Sequence, residues 1–163
     1  MSTAATKKAP AAIPVSPALA KRILDEGYGP GAWHGNDMKA ALADVTADAA
    51  FRRPAPGRHN IAEIAIHRAF YQHSVRGRLT GAKLEPFVLE GDDWFALDDA
   101  STMPWPKILE VVGREQKRLA QAVADLPSPS TEGAGFDLIL GITCHAVYHA
   151  GQIQLIKRLA AEV

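Results

Sequence analysis

Hydrophobic residues recur at three- and four-residue intervals over several long stretches of the chain, which is the period of an amphipathic helix. No stretch alternates convincingly between apolar and polar residues, and the strongest strand candidate is the short run 87–89. The pattern therefore predicts an all-α fold. It is typical of a bundle of four long helices that follow one short leading helix.

Capping residues, glycines and prolines set the expected helix boundaries. Ser16 precedes a proline and predicts a short leading helix over 18–26. The first long helix is predicted over about 32–45, and Thr46 can cap a further turn. Prolines and glycines then form a loop before the next helix.

The second long helix has the clearest start in the sequence. Asn60 and Glu63 have the spacing of a capping box, in which each side chain bonds the other's backbone N–H. The helix is predicted to extend over about 60–79 and to end near Gly81.

Residues 81–103 separate the second and third long helices and show no helical period. A connection of that length far exceeds the need of an antiparallel hairpin, so we expect it to cross the bundle and leave the two helices parallel. The third and fourth helices are predicted over about 104–126 and 136–160. We expect residues 1–15 to be a mobile tail and residues 16–163 to be a single domain.

The fourth helix carries the most informative pattern. Seven positions separated by three or four residues form one face of it: Leu138, Ile142, His145, His149, Gln152, Ile156 and Leu159. In a bundle such a face points towards the other helices. Three polar residues therefore interrupt an apolar seam, and buried imidazoles need partners.

His145 and His149 lie four residues apart, so their rings project from adjacent turns and can converge on one ion. The residues between them lack the glutamate of a zinc-protease helix, which excludes that peptidase class. The spacing alone leaves open a pair of histidines that are satisfied in the core or at the surface.

A third ligand has to come from another helix. His67 is the first choice because apolar and aromatic residues lie three and four positions from it, which predicts an inward-facing side chain. His34 is the alternative. His59 is assigned to a loop and His73 to a solvated stretch.

Three segments resemble the DinB-like family of four-helix-bundle metalloproteins. Asn60–His67 resembles the family's helix-2 motif, His145–Ile153 its helix-4 motif, and residues 32–35 the opening of its helix 1. The resemblance extends over about 18–160. It implies a divalent metal ion bound by one histidine of helix 2 and two of helix 4, which by position are His67, His145 and His149.

Three neutral imidazoles leave coordination positions open, as in catalytic rather than closed structural sites. Zinc is the expected ion, with nickel or iron as alternatives. The resemblance implies a metal-dependent thiol S-transferase or isomerase that uses a low-molecular-weight thiol on a small electrophile. The alternative is a non-catalytic metal-binding stress-response or interaction protein.

Three residues near the proposed ligands have two interpretations each. Gln152 follows His149 by one turn and either orients a ligand or serves as a core amide bonded to another helix. Cys144 points about 100° away from its neighbouring ligand, which favours a small core residue over a nucleophile. For Glu63 the capping role is favoured over a contact with the metal.

Charge and cysteine content exclude several functions. Lys+Arg and Asp+Glu both count 18 in 163 residues, and the absence of a basic excess argues against a nucleic-acid or membrane partner. A single cysteine excludes an intramolecular disulfide and a thiolate-rich zinc site. Without an apolar run of signal-peptide or membrane-spanning length, we expect a cytoplasmic protein.

The family resemblance also favours a homodimer. We expect apolar residues on the outside of the bundle to supply a twofold contact, with Ile66, Val111 and Val147 as the candidates.

Overall fold

A computed structural model describes residues 14–29, 31–127 and 133–161. Within these ranges the regular secondary structure is entirely helical, with no strand, as predicted. The six helices are α1 (Pro17–Gly27), α2 (Met38–Leu42), α3 (Ala47–Phe51), α4 (Ile61–Thr80), α5 (Trp105–Ala124) and α6 (Ala134–Ala161). Most of the predicted tail lies outside the described residues, so the division into tail and domain stays a prediction.

Helices α1, α4, α5 and α6 form the bundle. α4 packs against α5 and α6, and α1 packs against the same two helices. The short leading helix is therefore itself a member of the bundle, while α2 packs on α6 and α3 packs on α4 and α5. None of the helices in the described ranges combines the length and apolar character needed to cross a membrane.

One short helix, α2, replaces the continuous helix predicted over 32–45, and α3 follows as the further turn predicted after Thr46. Gly31 and Gly35 adopt φ angles of 84° and 120°, a left-handed region that breaks a helix. The Asp37 carboxylate then caps α2 by accepting from two backbone N–H groups. Thr46 caps α3, as the sequence indicated. Apolar spacing alone does not show whether a helix fills the whole of a predicted range or only part of it.

The other predicted helices agree with the structure to within two residues at each end. α4 begins at the predicted cap, where the Asn60 side-chain oxygen accepts from the Glu63 N–H at 2.8 Å. It ends at Gly81, whose φ of 65° gives the left-handed C-cap. The parallel arrangement of α4 and α5 stays a prediction.

Asn60 does more than cap α4. Its buried amide nitrogen donates to the carbonyl of Leu97 at 2.6 Å and to that of Phe51 at 3.2 Å. One side chain thus joins the start of α4 to the end of α3 and to the connection that leads to α5.

Glu63 does not complete a capping box. Its buried carboxylate instead accepts from the Arg53 guanidinium at 2.5 and 3.1 Å, from the backbone N–H of Leu97 at 3.1 Å, and bonds His59 Nδ1 at 2.8 Å. Burial raises the pKa of this carboxyl, but the hydrogen bonds and the Arg53 charge outweigh burial and leave the pKa below its ordinary value.

Glu63→Gln is expected to destabilise the protein in a pH-dependent way. Because the folded-state pKa lies below the unfolded value of about 4.3, the carboxylate stabilises the fold above that pH. This contribution is lost as the pH falls through the folded-state pKa. Denaturant unfolding of both proteins at several pH values should show a difference in unfolding free energy that narrows below about pH 4. A constant difference down to pH 3 would contradict this assignment.

The expectation that Ile66 and Val111 face outward is wrong. Both belong to the larger apolar cluster of the core and have no exposed surface. α4 lies between α5, α6 and α3, and every residue of 61–69 is buried, so this helix has no outward face over its first turns. Val147, the third candidate, is half-buried and is the one of the three that keeps exposed surface.

Candidate metal centre

Three histidine side chains from two helices meet inside the bundle. His67 comes from α4, and His145 and His149 come from adjacent turns of α6. The Nε2 atom of His145 lies 3.2 Å from that of His67 and 3.0 Å from that of His149. One ring nitrogen of each residue lies within 4.8 Å of the other two, so the group can hold a metal ion.

The two nitrogen–nitrogen distances fit ligands of one ion. With metal–nitrogen bonds of about 2.0–2.1 Å, two ligand atoms are roughly 2.9 Å apart at a right angle and roughly 3.4 Å apart at the tetrahedral angle. The observed 3.0 and 3.2 Å fall between these values. The spacing of His145 from each of the other two rings is therefore that of ligands to one ion.

Hydrogen bonds at Nδ1 direct the lone pairs of two rings to the centre. His67 Nδ1 donates to the backbone carbonyl of Asp93 at 2.7 Å, and His149 Nδ1 donates to Gln152 Oε1 at 2.6 Å. Each bond places the ring proton on Nδ1 and leaves Nε2 with a lone pair. Only His145 can then supply a proton among the three Nε2 atoms, and a cation at the centre would satisfy the remaining lone pairs.

All three imidazoles are held neutral. Burial is the main cause: it lowers the pKa of His67, and with the neighbouring charges it lowers the pKa of His145 to about 3 and that of His149 to about 4. A metal ion therefore does not have to displace protons from charged rings at neutral pH.

The buried positive charge of Arg68 acts on two of the three histidines. Its contacts are the side-chain oxygens of Gln72 and Gln116 and the ring face of Tyr28. Within the described ranges no carboxylate forms an ion pair with this guanidinium, and its Nε has no hydrogen-bond partner. Its charge contributes to the low pKa of His145 and of His149, so this region favours an anion over a further proton.

The indole of Trp94 is stacked between two histidines. The centroid of its ring lies 3.7 Å from that of His67, at an interplanar angle of 11°, and 3.7 Å from that of His59, at an interplanar angle of 8°. The connection between α4 and α5 thus contacts His67 twice, through the carbonyl of Asp93 and through the indole of Trp94. Sequence reasoning missed Asp93 and Trp94 because a connection without a period gives no sign of which side chains point inward.

We expect Trp94 to report metal binding by its fluorescence. Addition of Cu²⁺ or Ni²⁺ to metal-free protein should quench part of the tryptophan emission, because an open-shell ion at the histidines lies close to the stacked indole. Trp94→Phe should abolish the quenching, whereas Trp33→Phe, at an exposed tryptophan, should preserve it. Equal quenching in the parent and in Trp94→Phe would place the ion elsewhere.

A cavity of about 620 Å³ opens beside His149. This volume is typical of small-molecule sites, which are mostly apolar with a few polar groups. The walls here follow that composition. The apolar side chains are Ile64, Trp94, Leu155, Ile156 and Leu159, and the polar ones are Arg58, His59, Tyr148, His149 and Gln152.

Gln152 has the contact that an orienting role requires. Besides accepting from His149, its amide nitrogen donates to the Tyr148 hydroxyl at 3.0 Å, so both bonds stay within α6 and none of them reaches another helix. Cys144, in contrast, is exposed, and the expectation of a core residue is wrong. It lies on the side of α6 that no other helix of the described residues covers.

The remaining histidines lie outside the group of three. His34 is exposed and bonds the carbonyl of Glu26 at 2.8 Å. His73 is buried, and its Nδ1 lies 3.3 Å from the Glu115 carboxylate. The prediction of a solvated His73 is wrong because α4 packs on α5 here, where the buried Glu115 requires polar partners. His59 precedes α4, as expected, and stacks on Trp94.

The fold and the three-histidine group define the class of protein: an all-α bundle with a site that can hold a metal ion. A family model described as the DinB superfamily matches residues 32–153, which include all three histidines. The chain therefore belongs to the DinB superfamily. No curated protein and no solved structure matches the chain.

Proposed function

We propose that this protein is a metal-dependent thiol S-transferase or isomerase that acts on a small electrophile. It binds a divalent ion through His67, His145 and His149. One observation carries the proposal: three neutral imidazoles meet inside the bundle, and one of them, His149, lines an apolar cavity of about 620 Å³.

The donor set suits zinc, nickel, copper or iron, and we propose zinc as the physiological ion. Bound to three nitrogens, such an ion would lower the pKa of a coordinating thiol and so supply a thiolate at neutral pH.

The chain's own side chains prepare the site for an anion. Asp93 and Gln152 fix the rings of His67 and His149 by accepting their Nδ1–H groups. Arg68 adds a buried positive charge that stabilises a negatively charged sulfur. The apolar wall of the cavity takes up the electrophile and excludes water from the reacting atoms.

The reaction is a nucleophilic transfer with a thiol as co-reactant. In the transferase, a bond forms between the sulfur and the electrophilic carbon, and the bond to the leaving group breaks. The leaving group takes the electron pair, and the thiol proton passes to the solvent. In the isomerase, the sulfur adds to a conjugated carbon and is later expelled, so the thiol is regenerated.

The test is consumption of monochlorobimane by protein made without an affinity tag and loaded with zinc, nickel or iron. A panel of low-molecular-weight thiols, with cysteine and glutathione among them, is supplied as co-substrate. We expect turnover that requires both metal and thiol. It should be lost in His149→Ala and retained in His34→Ala, which changes an exposed histidine outside the group. One metal ion per chain without turnover on any thiol would reject the enzyme and favour the non-catalytic metal-binding protein.

A further inference from the structure

The cavity beside His149 gathers apolar side chains that the bundle leaves exposed. Four of the nine large apolar residues that are exposed in the described ranges line it: Trp94, Tyr148, Leu155 and Leu159. The side chains of Ile64 and Ile156 complete the apolar wall. Exposed apolar surface that is concentrated in one cavity, rather than scattered singly, marks a place where a ligand is taken up.

The composition of this wall favours a ligand with an aliphatic body. The indole of Trp94 is covered on both faces by His59 and His67, so it has no face left on which an aromatic ligand could stack. Most of the remaining apolar wall consists of leucine and isoleucine side chains, among them the exposed Leu155 and Leu159. Such a surface packs well against an alkyl chain.

A single arginine gives the cavity its charge. Among the described residues that line it, Arg58 is the one with a permanent charge, and none is a carboxylate. Arg58 is exposed and forms no ion pair in the part of the chain that the structure describes. A guanidinium binds a carboxylate through two parallel hydrogen bonds, so the charge of this cavity is complementary to an organic acid.

The loop that carries Arg58 is fixed by its neighbours. The Arg53 guanidinium donates to the backbone carbonyl of Arg58 at 2.8 Å, and it is itself bonded to the carboxylates of Glu63 and Asp98. The backbone N–H of Arg58 donates to the carbonyl of Ala55 at 3.1 Å. The backbone at Arg58 is thus held while its side chain stays available, which lowers the cost of ordering the loop when a ligand binds.

We propose that this cavity binds an aliphatic carboxylate. The carboxylate lies on the Arg58 guanidinium, and the alkyl chain packs on Leu155 and Leu159 of the wall that His149 also lines. As the substrate of the proposed reaction, the ligand carries an electrophilic carbon on its alkyl chain, and this part of the inference rests on the proposed function. Binding of the carboxylate itself requires neither a metal ion nor a thiol.

Calorimetric titration of metal-free protein tests the binding. Octanoate should bind at least about tenfold more tightly than 1-octanol, which has the same chain without the charge, because charge-assisted hydrogen bonds are the stronger ones. It should also bind at least about tenfold more tightly than acetate, which has the charge without the chain. Equal binding of octanoate and 1-octanol, or no binding of octanoate, would overturn the proposal.

Charge variants test the place of the carboxylate. Arg58→Gln should weaken octanoate binding at least about tenfold and leave 1-octanol binding unchanged, and Arg58→Glu should bind octylamine in preference to octanoate. Arg78→Gln is the matched control, because Arg78 is likewise exposed and without an ion pair in the described ranges but lies in the last turn of α4. An equal loss of octanoate binding in Arg78→Gln would show a general charge effect and overturn the assignment.

A pair of leucine variants tests the place of the alkyl chain. Leu155→Ser should weaken octanoate and 1-octanol binding by the same factor, because both ligands have the same chain. Leu109→Ser changes an exposed leucine of α5 outside the cavity and should leave both affinities unchanged. Unchanged affinities in Leu155→Ser would place the chain elsewhere and contradict the proposal.

Turnover of 8-bromooctanoate separates this inference from the proposed function. With metal-loaded protein and a thiol, a bond forms between the sulfur and the carbon that carries bromine, bromide leaves with the electron pair, and the thiol proton passes to the solvent. The KM should be lower for 8-bromooctanoate than for 8-bromo-1-octanol, and Arg58→Gln should raise it at least about tenfold with a smaller change in kcat. Octanoate binding that depends on Arg58, without turnover, would uphold the carboxylate site and reject the proposed function. Turnover with the same KM in the parent and in Arg58→Gln would do the reverse.

Discussion

Replacement of His67 or His149 by alanine is expected to deplete the protein of metal. Each residue supplies one of three Nε2 atoms that lie 3.0–3.2 Å from their neighbours, and no other histidine lies near enough in the described structure to replace it. Loss of a residue that only orients a ligand costs about 10- to 100-fold in metal affinity, so loss of a ligand should cost at least about 100-fold. Elemental analysis of dialysed, untagged protein and competition with a chromophoric chelator measure the effect.

His34→Ala is the matched control for this experiment, because His34 is exposed and bonds only a backbone carbonyl. His73→Ala is unsuitable, since His73 is buried against Glu115 and its loss would disturb the packing of α4 on α5. We expect about one ion per chain in the parent and in His34→Ala. A parent that binds no divalent ion, or full occupancy in His67→Ala together with loss in His34→Ala, would refute the assignment.

The three histidines could be grouped from the sequence because regular helices carry them. In α6 a spacing of four residues places His145 and His149 on one face, and the apolar neighbours of His67 indicate its inward direction in α4. What surrounds the group was not predictable in this way. Asp93 and Trp94 lie in the irregular connection, where no period relates position in the chain to direction in space.

Hydrophobic periodicity also fails to predict which side chains are buried when other helices cover a helix on several sides, or when they leave one side of it uncovered. His73 and Ile66 are buried because α5, α6 and α3 all pack on α4, and a pattern typical of surface helices assigns them to the outside. Cys144 shows the opposite error: a small residue in an apolar helix looks like core, but no element of the described chain covers it. In each case the deciding factor is which helices pack together, and that depends on the whole chain.

Asn60→Ala is expected to have the largest effect on stability among single polar substitutions in this fold. The side chain caps α4 and also donates to the buried carbonyl of Leu97 and to the carbonyl of the half-buried Phe51. Loss of an N-cap costs about 1 kcal/mol, the buried Leu97 carbonyl left without a donor adds about 1–3 kcal/mol, and the lost bond to Phe51 adds about 1 kcal/mol. The free energy of unfolding should therefore fall by at least about 3 kcal/mol, measured by denaturant unfolding at an unchanged m-value.

Two further variants separate the cap from the buried bonds. Asn60→Asp keeps an oxygen for the N–H of Glu63 but removes the amide donor, so it should lose at least about 2 kcal/mol. Thr46→Ala removes an exposed cap of α3 that makes no other side-chain bond and should lose only about 1 kcal/mol. Because Leu97 follows Asp93 and Trp94 in the same connection, loss of the Asn60 bonds should also loosen the support of His67. Equal destabilisation by Asn60→Ala and Thr46→Ala would show that the bonds of Asn60 to the connection contribute nothing beyond the cap.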